Sequence, residues 1–256
     1  MADNPLILAI ETSSRVGSVA LATGERLCAE SAFSGTMKHS AEIFPSIVAL
    51  MDRFGRKPHE IEHIYVSIGP GSFTGLRIAT TIAKALHLAQ GAKIVPVGTL
   101  DVIAANVTDY IKQNEAATSS HRRHRRVSVD RVATILDAKR GQFYIAVYQR
   151  GGHEQPETSD VVFRKILPDS LMTASQFVDR FAGGEQPVWL LGDGLLYQKD
   201  TFNADGVHFL DDKYWSPHAG KVHLLGWQKA SAGQFADPIT LEPAYLRRPD
   251  VTVKPR

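Results

Sequence analysis

Two carboxylates stand at matching places in the two halves of the chain. Glu11 closes the apolar run Leu6-Ile7-Leu8-Ala9-Ile10, and Asp137 closes Val132-Ala133-Thr134-Ile135-Leu136. Paired carboxylates at strand ends can hold a magnesium ion and orient an attacking water. Phosphates beside them need a turn of small residues with free backbone N–H groups. Thr12, Ser13 and Ser14 supply such a turn after Glu11, whereas Ala138, Lys139 and Arg140 after Asp137 would crowd it. Glu11, Thr12, Ser13 and Asp137 therefore read as the remnant of a nucleotide site. One of its two clamps is spoiled, and no hydrolysis is expected of the chain alone.

A second candidate is Gly69-Pro70-Gly71-Ser72-Phe73-Thr74-Gly75-Leu76-Arg77. Glycine-rich turns that lead into a helix N-terminus hold anions, but this one lacks the Lys-Ser or Lys-Thr of the nucleoside triphosphatase loop. Its local chemistry favours a strand–helix turn packed closely against a neighbour over a nucleotide or acyl-phosphate site. His59-Glu60-Ile61-Glu62-His63 has the letters of a zinc-protease motif, which works only on a helix that stacks its histidines one turn apart. Pro58 precedes it and a strand-like run follows. On a strand the two rings would lie about 13 Å apart, so no metal site is expected. His39 and Ser40 adjoin without an orienting acid, and a role in capping a helix start is expected of them. Asp193, between Gly192 and Gly194, reads as an ordinary turn.

The elements that must carry these residues follow from hydrophobic spacing. Leu6–Ile10, Val16–Ala22 and Arg26–Phe33 read as three strands joined by short links. A helix over 40–54 has Ile43, Ile47, Leu50 and Phe54 on one ridge, with Phe44, Val48 and Met51 beside it and Gly55 at its end. A strand at 61–68 leads to the glycine turn and a helix over 76–90. A strand at Lys93–Val97 and a helix from Leu100 to Ile111, with Thr99 as N-cap, complete the first unit. Val132–Asp137 and Phe143–Tyr148 repeat the opening design. A helix near 171–182, a strand at Val188–Leu191 and a helix after Ser216-Pro217 follow. The expected division is a first lobe over 1–112, a basic linker or loop over 113–130, and a reduced second lobe over 131–256.

At 256 residues, with 43% hydrophobic and 22% charged residues, the chain is an ordinary globular protein of one or two domains. The net charge is +2 although residues 121–126 alone hold four arginines, so no general nucleic-acid surface follows from bulk charge. Residues 113–128 read as a solvated loop. Cys28 is the only cysteine, which excludes an intrachain disulfide or a cysteine metal cage. Leu6–Ile10 is too short for a signal peptide or a membrane span, and a cytoplasmic protein is expected.

The order of elements is that of the ribonuclease H-like unit shared by actin-like ATPases and sugar kinases, and two such units give a two-lobed actin-like α/β fold. The stretch Gly69–Arg77 resembles the signature of the TsaB family, partner subunits in bacterial tRNA threonylcarbamoyladenosine synthesis. Ile7–Ser13, His39–Pro45, Asp137–Tyr144 and Pro243–Arg247 agree with it in order. The resemblance implies a non-catalytic, glycoprotease-like paralogue of TsaD. Thr99 and Ile103 stand where TsaD carries its metal-binding histidines. It also implies pairing with a TsaD-like subunit through the helices near 40–54 and 76–90, and a TsaE-like ATPase joining the assembly. The group transferred is threonylcarbamoyl, the acceptor is the adenosine beside the anticodon, and tRNA is reached only through the complex. No cofactor is implied.

The broad apolar circumference of both helices fits an exposed pairing surface. Ile43, Phe44, Ile47, Leu50, Met51, Leu76, Ala79, Ile82, Ala83 and Leu86 are the expected partner-binding residues. Ala79 and Ala83, four apart, leave a groove for an approaching helix. Alone, the chain would use the same surface to form a symmetric homodimer. The competing readings are an actin-like ATPase or kinase using Glu11 and Asp137, and a zinc protease.

Overall fold

The computed structural model describes residues 4–35, 38–118, 128–151, 163–184 and 186–246. The basic run 121–126 and Arg247 of the Pro243–Arg247 stretch lie outside them. Among the described residues no helix is long and apolar enough to cross a membrane.

Two five-stranded sheets carry the fold. In the first, β1 (Leu6–Glu11), β2 (Ser18–Thr23) and β3 (Arg26–Ala32) form an antiparallel meander, and β4 (Ile61–Ser67) and β5 (Lys93–Val97) add parallel to β1, in the order β3-β2-β1-β4-β5. The second contains β6 (Arg131–Asp137), β7 (Gln142–Arg150), β8 (Phe163–Thr173), β9 (Val188–Leu191) and β10 (Val207–Phe209). Its order β8-β7-β6-β9-β10 repeats the first, again with three antiparallel strands and then two parallel ones. The repeat makes the molecule a two-lobed α/β protein of the actin-like, ribonuclease H-like plan. The second lobe is the reduced one: 3₁₀ turns follow β9 where a long helix follows β4.

Strand alternation decides which helices cover which face. Leu6, Leu8 and Ile10 of β1 face one core with residues of α1 (His39–Arg53) and α2 (Phe73–Gln90). Ile7 and Ala9 face the opposite core with Ala20, Ala22 and Tyr65, under α6 (Ala219–Ser231). The small side chains on that face, and Gly226 against the Tyr65 ring, let α6 lie close to the sheet.

The lobes exchange helices. Leu100 and Ile103 of α3 (Thr99–Ala104) and Val107 and Ile111 of α4 (Val107–Thr118) belong to the core of the second sheet. In return α6, which follows the second sheet in sequence, packs on the first. The expected limit at 112 falls inside α4, so residues 113–118, expected in the loop, are helical. Asn106 binds the crossing segments together: its Nδ2 donates to the carbonyls of Tyr214 (2.9 Å) and Ser216 (2.8 Å). Lys221 pairs with Asp109 at 2.7 Å, and the Ser18 hydroxyl accepts from the Ala219 N–H at 2.8 Å.

Several elements differ from expectation. The helix expected over 171–182 is α5 (Ala174–Phe181), and β8 precedes it unannounced. Pro168 interrupts the strand signal in β8, but an edge strand tolerates proline. α2 starts at Phe73, three residues early, because Ser72 caps it by accepting from Gly75 N–H. Thr99 is the first residue of α3 rather than its N-cap, and α6 begins at Ala219 after His218.

Candidate functional site

The turn after β1 lies at the junction of the two lobes, and two other stretches that carry the family resemblance, Gly69–Arg77 and His39–Pro45, bond to it. Glu11 is fully buried, and both its carboxylate oxygens are already occupied. Oε1 accepts from the Ser13 N–H (2.6 Å) and the Ser13 hydroxyl (2.5 Å), and Oε2 accepts from the Ser67 hydroxyl. Burial pushes the Glu11 carboxyl above its usual range; the bonds from Ser13 and Ser67 oppose this and nearby Asp193 adds to it.

The glycine signature docks onto the same turn. Ser72 N–H donates to the Ser13 carbonyl at 2.6 Å, and the Thr12 hydroxyl donates to the Gly75 carbonyl at 2.7 Å. A Cβ on Gly75 would overlap the Thr12 carbonyl oxygen, and one on Gly71 would overlap that of Ser13. The signature is thus a closely packed turn, and its glycines are required by backbone approach. Two further stretches close on it. Ala244 N–H donates to Ile68 O at 2.7 Å, and the Tyr245 ring packs on Phe73 (5.2 Å), with the Arg77 guanidinium 3.8 Å from the Phe73 ring centre. His39 sends Nε2 to the Ser14 carbonyl at 2.9 Å. It makes no capping bond for α1, contrary to expectation.

The second lobe builds the mirror arrangement across the cleft. Gly192, at φ +129°, and Gly194 follow β9 as Gly69 and Gly71 follow β4, and a Cβ on either would strike the backbone at Ile135–Asp137. Asp193, which the sequence presents as an ordinary turn residue, faces Ser14 and Arg15 of the first lobe. Burial holds its carboxyl above the usual range, opposed by those two residues, with Asp137 adding to the rise. Its signal was the position of Gly-Asp-Gly after the fourth strand of its lobe, where the first lobe has Gly-Pro-Gly. Asp137 accepts from its own turn, from Lys139 N–H (2.7 Å) and Lys139 Nζ (2.6 Å). Lys139 and Arg140 both take left-handed φ, +65° and +58°, in a tight hairpin between β6 and β7.

These groups are largely engaged within the protein. Ser13 and Ser67 take three of the four acceptor positions of the Glu11 carboxylate, and a lysine lies on Asp137. Thr12 and Ser13 spend their hydroxyls inside the protein. The Ser14 hydroxyl faces Asp193 of the second lobe.

The structure places the expected partner-binding residues mostly inside the monomer. Ile43, Ile47, Leu50, Met51, Leu76, Ala79, Ile82 and Ala83 are buried in the core of the first lobe. The groove at Ala79 and Ala83 is filled, because α1 and the sheet occupy that face. Leu86 is half-buried, and Phe44 is 59% exposed. The outward apolar residues are Phe44, Val48 (53%) and Leu88 (84%). Phe44 and Val48 are four apart and share a helix face.

The zinc-protease letters fall on two different elements. His59 sits in a 3₁₀ turn, Pro58–Glu60, and His63 on β4, its ring against Tyr65 and Phe235. Both line an open cavity of about 400 Å³ with Glu62, Lys93 and Trp227 at the far end of the sheet from the glycine turn. Thr99 and Ile103 are fully buried, Ile103 in the core of the second lobe.

Fold and site together define a two-lobed actin-like protein whose inter-lobe junction is occupied by its own side chains. The model of the family "TsaD: tRNA N6-adenosine threonylcarbamoyltransferase" matches residues 34–176, more than half the chain. The Bacillus subtilis (strain 168) tRNA threonylcarbamoyladenosine biosynthesis protein TsaB is 27% identical over 252 residues, 97% of this chain and 96% of that protein. TsaB of Buchnera aphidicola subsp. Acyrthosiphon pisum (strain APS) is 30% identical over 169 residues, 65% and 69% of the two chains. A crystal structure of an uncharacterized protein from Pseudomonas aeruginosa with similarity to peptidase YEAZ superposes with a TM-score of 0.74 at 22% identity, covering 95% of this chain and all of that one. The chain belongs to the TsaB family, within the broader family of the matched model.

Proposed function

We propose that this chain is a binding subunit of the machinery that makes threonylcarbamoyladenosine in tRNA. In this reading it presents the outward faces of α1 and α2 to a TsaD-like catalytic subunit in the cytoplasm. A TsaE-like ATPase joins, and tRNA is met only through the assembly. The names of its relatives support the pathway. The observation that carries the binding role is the apolar surface left on two neighbouring helices, at Phe44, Val48 and Leu88, since exposed apolar patches mark interaction sites. The engagement of the Glu11 carboxylate by Ser13 and Ser67 supports a role without chemistry of its own. In the absence of the partner, the same helices can serve a second copy of the chain.

Two measurements test the reading. Titration of the full chain with a TsaD-type subunit should give saturable binding, and ATP turnover by the chain alone should stay at background. Turnover that vanishes in Glu11→Gln and Asp137→Asn variants would overturn the non-catalytic role and restore the ATPase reading.

A further inference from the structure

The buried His39 side chain is used by no part of the binding role above. It opens α1, and its Nε2 lies 2.9 Å from the Ser14 carbonyl. A carbonyl only accepts, so Nε2 carries the proton and Nδ1 is bare; that atom is buried with no partner. Burial lowers the ring's affinity for a second proton, so it is neutral. Phe33 packs on it at 5.8 Å, and Gly17 leaves the space it fills. The ring therefore has one polar attachment, to the turn after β1.

The other side of that turn meets the second lobe. The Arg15 guanidinium lies 5.3 Å from the ring centre of Tyr197, and Asp193 faces Ser14 and Arg15. Other polar ties between the lobes lie around Asn106 and the crossing helices. Arg15–Tyr197 is thus a separate clasp across the cleft. A rigid element attached to the clasp moves it whenever that element moves.

We propose that the turn Thr12–Gly17 couples α1 to the second lobe, with His39 as the positioning residue, so that occupancy of α1 and closure of the lobes are one linked equilibrium. The half concerning occupancy rests on the partner surface proposed above. Linkage is reciprocal: what docks on α1 shifts the lobes, and what loosens the clasp weakens docking.

The test uses the full chain with Cys28→Ser, spin-labelled at Glu25→Cys in the first lobe and Asp200→Cys in the second, both exposed positions. Pulsed electron resonance reads the distance distribution between the lobes. Tyr197→Ala and His39→Phe, which keeps a ring and removes the donor to the Ser14 carbonyl, should each broaden or shift it, and the double variant should do no more than the stronger single one, as for residues acting in series. Tyr197→Ala, in the lobe opposite α1, should also weaken binding of a TsaD-type subunit about fivefold or more. If His39→Phe does not fold, His39→Leu replaces it. Unchanged distributions in Tyr197→Ala, or additive effects in the double variant, overturn the coupling. If Phe44→Arg leaves partner binding intact, the surface assignment fails, while the distance measurements still decide the coupling.

Discussion

Glu11 has the position of a catalytic carboxylate and accepts hydrogen bonds from its own turn and from β4. The donors from Ser13 and Ser67 favour its charged form, but burial outweighs them and raises its pKa, so folding favours proton binding relative to the unfolded chain. The sign follows from linkage. Between the ordinary value of 4.5 and the higher folded value, the native state binds more protons than the unfolded chain. Glu11 thus stabilises the protein fully below its unfolded pKa and loses that contribution as pH rises through its folded pKa. Denaturation midpoints measured from pH 4 upward should show this loss in the wild type and not in Glu11→Gln; identical pH profiles would rule it out. Gly75 makes the second residue-scale prediction. A methyl group there would meet the Thr12 carbonyl, a backbone atom that cannot swing aside. Gly75→Ala should cost about 2–3 kcal/mol and lower Tm by roughly 4–12 °C; a calorimetric midpoint equal to wild type would show that the signature turn is looser than described.

At the scale of elements, periodicity revealed the helices and left their outward faces undecided. The apolar stripe of α2 was plain from Leu76 to Leu86, because a 3.6-residue repeat needs only local sequence. Which part of that wide stripe faces outward was not plain, since the sheet and α1 compete for it. Ala79 and Ala83 went to the core, and Leu88 reached solvent. β8 was missed for a different reason, Pro168 in an edge strand. The exchange of α3, α4 and α6 between lobes was equally hidden, because it is settled by packing between residues far apart in sequence. Ala83→Arg now tests the assignment of this helix face. It would bury an unpaired charge at a fully buried position, at a cost of roughly 3–5 kcal/mol. Thermal unfolding should show a badly lowered midpoint; a midpoint near wild type would put that face back on the surface.

The whole molecule is a duplication whose two halves have diverged at their turns. Each lobe sets a glycine turn after its fourth strand against the end of its first, and the two ends meet across the cleft through Glu11, Asp137 and Asp193. The pairing of Glu11 with Asp137 was legible in sequence because strand, carboxylate and turn recur. Asp193 was not, since its importance comes from the opposite lobe. The surface proposed for function is the outside of α1 and α2, where Phe44, Val48 and Leu88 are exposed. The most direct test compares Phe44→Arg and Val48→Asp with wild type for binding to an immobilised TsaD-type subunit, with Tm measured in parallel. Charges at these exposed positions should leave Tm within about 2 °C of wild type while retention is lost, because a desolvated charge at an interface centre costs several kcal/mol. Full retention of both variants, with folding intact, would contradict the account.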